Sequence, residues 1–108
     1  MSQYLFIDSR DPFETSDSEF IVSTATALRQ QGNEVTVFLV QNGVMAARRQ
    51  ARDRYLSAIA SAGVRVLADE FSLRERGIND DELHPAIRIS GVDAIVDMLA
   101  SGTKTIWH

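Results

Sequence analysis

The chain has 108 residues, a length that fits one domain over residues 1–108 built on a single core. Hydrophobic residues make up 44% and charged residues 24%, which argues against a disordered or low-complexity chain. Fifteen acidic residues against eleven basic ones leave a net charge of −4, so the overall charge gives no hold on nucleic acid or on an anionic membrane. No apolar run approaches the ~20 residues of a membrane-spanning helix. The opening Met1-Ser2-Gln3-Tyr4 shows no charged segment leading into an apolar one, so a cytoplasmic location is expected. Cysteine is absent, which removes disulfides, thiolate metal sites, thiol nucleophiles and persulfides in one step.

Strand-like and helix-like segments alternate along the chain. The run "YLFID" (4–8) reads as a strand buried on both faces. After a polar loop containing Pro12, Ser16 and Glu19 form a capping-box pattern. A helix is expected behind it, with Phe20, Thr24, Ala27 and Leu28 on its inner face and Gly32 as its stop. "EVTVFLV" (34–40) is rich in β-branched residues and reads as a central strand. Asn42 can cap a second helix, with a stripe of Val44, Ala47, Ala51, Tyr55, Ala58 and Ala62 that closes at Gly63. A third strand, "VRVLA" (64–68), leads into a brief helix ending at Gly77 and an acidic loop. "AIRIS" (86–90) is a fourth strand. Ser90 and Asp93 then signal a helix with the stripe Val92, Ile95, Val96 and Leu99, and "TKTIW" (103–107) is a fifth strand.

Five strands separated by helices imply a three-layer α/β/α domain around a mainly parallel sheet, because parallel strands need crossover connections. Sites in such sheets lie beyond the carboxyl ends of the strands. Those ends place Asp8, Asn42, Gly43, Asp69, Glu70 and Ser90 around one candidate cleft.

The stretches "YLFIDSRDPFETSDSEFIVSTATALRQQGNEVTVFLVQNGV", "AGVRVLADEFSLRERGI" and "ISGVDAIVDMLASGTKTI" together resemble the DsrE/DsrF-like proteins of sulfur relays. The resemblance covers nearly the whole chain. It implies a five-stranded DsrE-like fold, homo- or hetero-oligomers with DsrE/F-like subunits, and a cysteine at the end of the third strand. Counting back from Arg76-Gly77 puts Asp69 at that position, with Ala68 the other candidate. A carrier thiolate takes up sulfane sulfur as a persulfide, whereas an aspartate can occupy the same helix amides but cannot form that bond. The chain is therefore expected to be no persulfide carrier and to need no cofactor.

For Asp69 itself, the favoured reading is a helix N-cap. An acid–base pair with Glu70 is disfavoured, since adjacent helical residues do not face each other. A fixed charge that docks a partner by mimicking a loaded persulfide is a further reading. Asp8 lacks the acidic neighbours of a phosphoacceptor. Asn42-Gly43 alone is a weak anion signal. His84 and His108 have no ligand spacing for a metal, and Ser72 has no neighbouring histidine in sequence. Arg48, Arg49, Arg52 and Arg54 form a basic cluster on the expected second helix, either a solvated face paired through Asp53 or an interface. Ile21 and Val22 extend the first helix's apolar face, which would suit a subunit contact. Two functions remain: a cysteine-free, non-catalytic subunit or regulator of a sulfur relay, or a small-molecule or anion-binding protein that uses the strand-end cleft.

Overall fold

In the computed structural model, residues 2–11, 18–49 and 55–107 are described. Among them, five strands form one all-parallel sheet in the order β4-β3-β2-β1-β5. The strands are β1 (Gln3–Asp8), β2 (Glu34–Leu39), β3 (Arg65–Asp69), β4 (Ile87–Ser90) and β5 (Lys104–Trp107). The helices are α1 (Ser18–Gln30), α2 (Tyr55–Ser61), α3 (Glu70–Glu75) and α4 (Val92–Ala100), with short 3-10 segments at Gln41–Ala47 and Asp80–Glu82. The three-layer parallel architecture expected from the alternation is the one observed.

The central strands are apolar on both faces, and alternate side chains feed two cores. Phe6, Val35, Val37, Leu39, Val66, Ala68 and Ile87 point to one face, where Ile21 and Ala25 of α1, Leu56 and Ile59 of α2 and Leu73 of α3 cover them. Leu5, Ile7, Phe38 and Leu67 point to the other face, where Ile95 of α4 joins them and Met98 packs against the cluster. The second core is much the smaller.

Four helical details differ from the periodicity reading. On α1 the sheet-facing residues are Ile21 and Ala25, while Phe20 is 48% exposed and Ala27 faces solvent. The apolar stripe is thus rotated by about one position, and Ile21 and Val22 are spent on the core rather than on a subunit contact. The second helix is not continuous from Asn42. Residues 41–47 form the 3-10 segment, after which the chain turns extended at Arg48, which bridges Leu83 in antiparallel fashion. Backbone bonds from Arg49 N–H to Glu82 O (2.6 Å) and from His84 N–H to Ala47 O (2.9 Å) hold that departure. The stripe position Ala51, like Pro12 and Ser16 of the first loop, lies outside the described residues.

Asn42 is inside the 3-10 segment and not its cap, since Val40 holds that position without a side-chain bond. Ser90 is likewise no cap: α4 starts after Gly91, and Ser90 Oγ donates to Gly91 O. The α4 stripe departs furthest from the periodicity. Of the stripe Val92, Ile95, Val96 and Leu99, only Ile95 is buried, and the other three are more than half exposed.

Phe6 is fully buried at the centre of the larger core. Phe6→Ala is expected to lower the unfolding free energy by about 3–5 kcal/mol through lost burial and the cavity left behind. Urea denaturation with an unchanged m-value checks this, with a solvent-facing change such as Gln30→Ala staying within about 0.5 kcal/mol of the parent.

Candidate functional site

Asp69 ends β3 and caps α3 with an extended backbone. Its Oδ2 accepts the Ser72 amide at 3.0 Å and the Ser72 hydroxyl at 2.7 Å, a bond buried from solvent. A capping carboxylate satisfies amides that a helix leaves without internal partners. The same Ser72 hydroxyl accepts the Gln41 amide at 2.9 Å. Gln41 has a positive φ of 53°, a conformation that non-glycine residues enter at a cost. One hydroxyl thus ties the end of β3 and the start of α3 to the loop that leaves β2.

Arg76 closes the same corner from above. Its Nη2 and Nε donate to Asn42 Oδ1 at 3.0 and 3.3 Å, and its Nη1 donates to Ser72 O at 3.3 Å. Asn42 Oδ1, the atom a helix cap would use, is therefore engaged by Arg76, and the Gly43 amide, which an anion would need, donates to Val40 O at 3.0 Å. Gly43 sits hard against β1: a Cβ there would fall 2.1 Å from Asp8 O. Its need is close backbone approach rather than phosphate binding. Asp8 is buried, its carboxylate Oδ1 accepts the Arg10 amide at 3.2 Å, and its backbone oxygen accepts Val40 N–H at 3.0 Å.

The expected cleft is thus only partly assembled. Asn42 joins the Asp69–Ser72 knot through Arg76, and Gly43 contacts Asp8. Glu70 turns outward to pair with Arg74 one helical turn on, and Ser90, in register with Asp69 on β4, bonds to its neighbour's backbone. Ala68, the other candidate for the strand-end position, is fully buried in the larger core. No helix among the described residues is long and apolar enough to cross a membrane, and no group of three or more His, Asp or Glu among them could hold a metal ion.

Two groupings escape the sequence. Ser57 Oγ lies 3.1 Å from His84 Nε2 across 27 positions, which local spacing cannot reveal. The Ala86 amide donates to His84 Nδ1 at 3.1 Å, so the neutral ring carries its proton on Nε2 and donates to the serine. Activation of a nucleophile needs the reverse polarity. The other is Arg29, whose Nε donates to Gly63 O at 3.3 Å and Nη1 to Asn33 O at 3.4 Å, joining the ends of α1 and α2.

Of the arginine cluster, Arg48 donates through Nε to Met45 O at 3.0 Å and Arg49 is exposed. Because the 3-10 segment ends at Ala47 and the backbone is extended at Arg48, Arg48 and Arg49 do not share a helical face. Arg52, Arg54 and Asp53 lie outside the described residues. An open groove of about 550 Å³ runs beside α3, with Leu73, Ile78 and Ile89 among its lining and Glu70, Asp80 and Asp81 at its rim.

The sequence profile of the DsrE/DsrF-like family matches residues 2–107. Three solved structures share the fold. A protein of unknown function from Methanobacterium thermoautotrophicum superposes with a TM-score of 0.85 at 25% identity, covering 100% of both chains. The ychN protein from E. coli superposes with a TM-score of 0.88 at 19% identity, again over 100% of both chains. A conserved protein of unknown function from Bacteroides thetaiotaomicron gives 0.79 at 14% identity, over 98% of this chain and 95% of its own. No curated protein matches by sequence.

Removing the carboxylate in Asp69→Ala leaves a buried hydroxyl and a helix amide without their acceptor, which should cost about 1–3 kcal/mol. Asp69→Asn keeps an oxygen for the Ser72 amide and should cost less. If the knot is one unit, the Asp69→Ala/Ser72→Ala double variant loses less than the sum of the single variants. Chemical denaturation of the set measures this, and strict additivity would contradict a shared network.

Proposed function

The chain belongs to the DsrE/DsrF-like family, and from that premise we propose that it is a non-catalytic, cysteine-free member that acts by assembling with itself or with cysteine-bearing relatives in an intracellular sulfur relay. The observation that carries this reading is the absence of cysteine from a chain that keeps the family fold over its full length. Sulfane sulfur is carried as a persulfide on a thiolate, and this chain has no sulfur nucleophile to offer. Its three methionines are thioethers and cannot form one.

The carboxylate of Asp69 takes the place that the resemblance gives to the reactive thiol. It is 4% exposed and engaged by Ser72, so it stabilises the strand end and presents little charge to a visitor. That weighs against both the acid–base reading and the docking-charge reading of Asp69. The same spending of Asp69 and Asn42 weakens the second function, an anion or small-molecule site at the strand ends. What the fold retains is the shape of a relay subunit, and a regulator or scaffold needs no more than that.

Incubated with a persulfide donor, the purified protein is expected to gain no covalent sulfur by intact-mass spectrometry. Mixed with a purified cysteine-bearing DsrE/F-like relative preloaded with persulfide, it is expected to co-migrate on size exclusion while the sulfur stays on the relative. A sulfur adduct on this chain, or no assembly with itself or with any such relative, would overturn the proposal.

A further inference from the structure

Of the seven large apolar residues exposed among the described residues, Phe20, Phe71 and Ile89 lie on α1, α3 and β4, and the other four gather on one side of the sheet. Val92, Val96 and Leu99 of α4 are 57%, 56% and 51% exposed, and Trp107 of β5, the chain's single tryptophan, is 67% exposed. All four lie on the thinly covered side of the sheet. Trp107 is in register with Ile7, a member of the smaller core beneath α4. Asp97, on one flank of α4, lines a groove with Thr36 of β2 and Arg65 of β3. Leu99 and Val92 project from the opposite flank at about 100° per residue, toward β1 and β5. The apolar stripe and Trp107 therefore bound one strip of surface beside the β5 edge.

Among the described residues β5 is a sheet edge that pairs only with β1, and the outer backbone groups of such an edge can pair with another strand. Its one charged residue does not guard that edge: the Lys104 ammonium lies 5.4 Å from the centroid of the Tyr4 ring, back over its own sheet. The opposite edge, β4, is flanked by Pro85 and carries exposed Arg88, features that discourage pairing.

We propose that β5 pairs antiparallel with β5 of a second copy about a two-fold axis normal to the sheet, so that Trp107 of each copy covers Val96 and Leu99 of the other. Such an axis keeps each sheet face on its own side, so directly opposed residues must share a face. Only registers centred on a single residue satisfy this. The one centred on Thr105 sets Thr105 against itself and Trp107 against the partner's Thr103. Thr103 is tied to the end of α4 through its amide bond to Met98 O, one residue from Leu99. The two-fold thus carries each tryptophan from its own copy, where it is left open, to the exposed flank of the partner helix. The four apolar residues expose on the order of 400 Å² per copy, about half of the ~800 Å² that each partner buries in a standard interface. The paired strand edges and a rim of Asp93, Ala100 and Thr105 account for the rest.

This gives the assembly proposed above a specific surface, and it rests on that reading. Because Trp107 is the chain's single tryptophan, its fluorescence reports the interface directly. The wild-type protein is expected to be a dimer by native mass spectrometry at micromolar concentration. Its emission should be blue-shifted and protected from acrylamide, and both properties should be lost together on dilution. Leu99→Glu, which leaves the tryptophan in place, should give a monomer with unchanged far-UV circular dichroism and red-shifted emission. Trp107→Asp, at the strand end, should dissociate the dimer by at least tenfold in Kd without unfolding the chain. A homo-oligomer in which Trp107 remains fully quenchable would overturn this surface while leaving self-assembly intact. A chain that stays monomeric alone but joins a cysteine-bearing relative would also overturn it, while the functional reading stands. A chain that assembles with neither overturns both.

Discussion

Strand order decides which side of this sheet is built thickly and which thinly. Crossovers between parallel strands are right-handed, so every step in one direction along the sheet places its connection on the same face. The chain starts at β1 and steps three times the same way, to β2, β3 and β4. The connections with α1, α2 and α3 therefore all fall on one side, where they share the larger core. A single return step, from β4 across the whole sheet to β5, leaves one helix on the other side. That helix runs back along the strands and is about 10–12 Å wide with its side chains, over a sheet about 19 Å across its five strands. It cannot cover the face alone, and the exposure of Val92, Val96, Leu99 and Trp107 follows from topology rather than from any oddity of packing.

The strand ends show how a place suited to chemistry can be given over to structure. In parallel α/β sheets the carboxyl ends gather helix N-termini and loops, and ligands use their unpaired amides. Here those groups are taken internally. Ser72 serves as donor to Asp69 and acceptor from Gln41, Asn42 receives two bonds from Arg76, and Gly43 lets the 3-10 segment press onto Asp8. Each member holds a different connection, so the polar groups of the corner are largely spent on one another. A thiolate at position 69 would have to remain exchangeable with a partner's sulfur. A carboxylate there can be buried, and burial with two donors is favourable only for a group that stays put.

The sequence made the architecture legible because its signal is redundant. β-branched runs such as "EVTVFLV" (34–40) and the glycine stops at Gly32, Gly63, Gly77 and Gly102 recur at regular intervals, and all four glycines adopt positive φ. Asp69 as the cap of α3 was legible for the same reason, since a cap depends on residues within one turn. Helix faces were less so. On α1, Phe20 and Ile21 are adjacent, and periodicity alone does not say which one points inward. On α4 the stripe was read correctly as apolar, but which part of it meets the sheet depends on strand order, which one sequence does not carry. The break at Arg48 was hidden because its cause is 35 residues away, in the antiparallel bridge to Leu83. The Ser57–His84 and Asn42–Arg76 contacts were hidden for the same reason.

The features left over after folding all concern association. The chain has no thiol, its most buried carboxylates are bonded to backbone or to Ser72, and its Ser–His pair is polarised against nucleophilic attack. Much of what remains unsatisfied is the apolar surface of α4 with Trp107 and the adjoining β5 edge, on the side where topology supplied too little cover, while Phe20, Phe71 and Ile89 are exposed elsewhere. Burial of such surface is the main driving force of protein association, and the aromatic anchor that interfaces favour is present in Trp107. The helix cap at Asp69 and this surface sit in different places. Asp69 lies at the carboxyl end of β3, toward one margin of the sheet, whereas the apolar strip borders β5 at the other. Burying the strip against another surface would therefore leave the Asp69–Ser72 knot undisturbed.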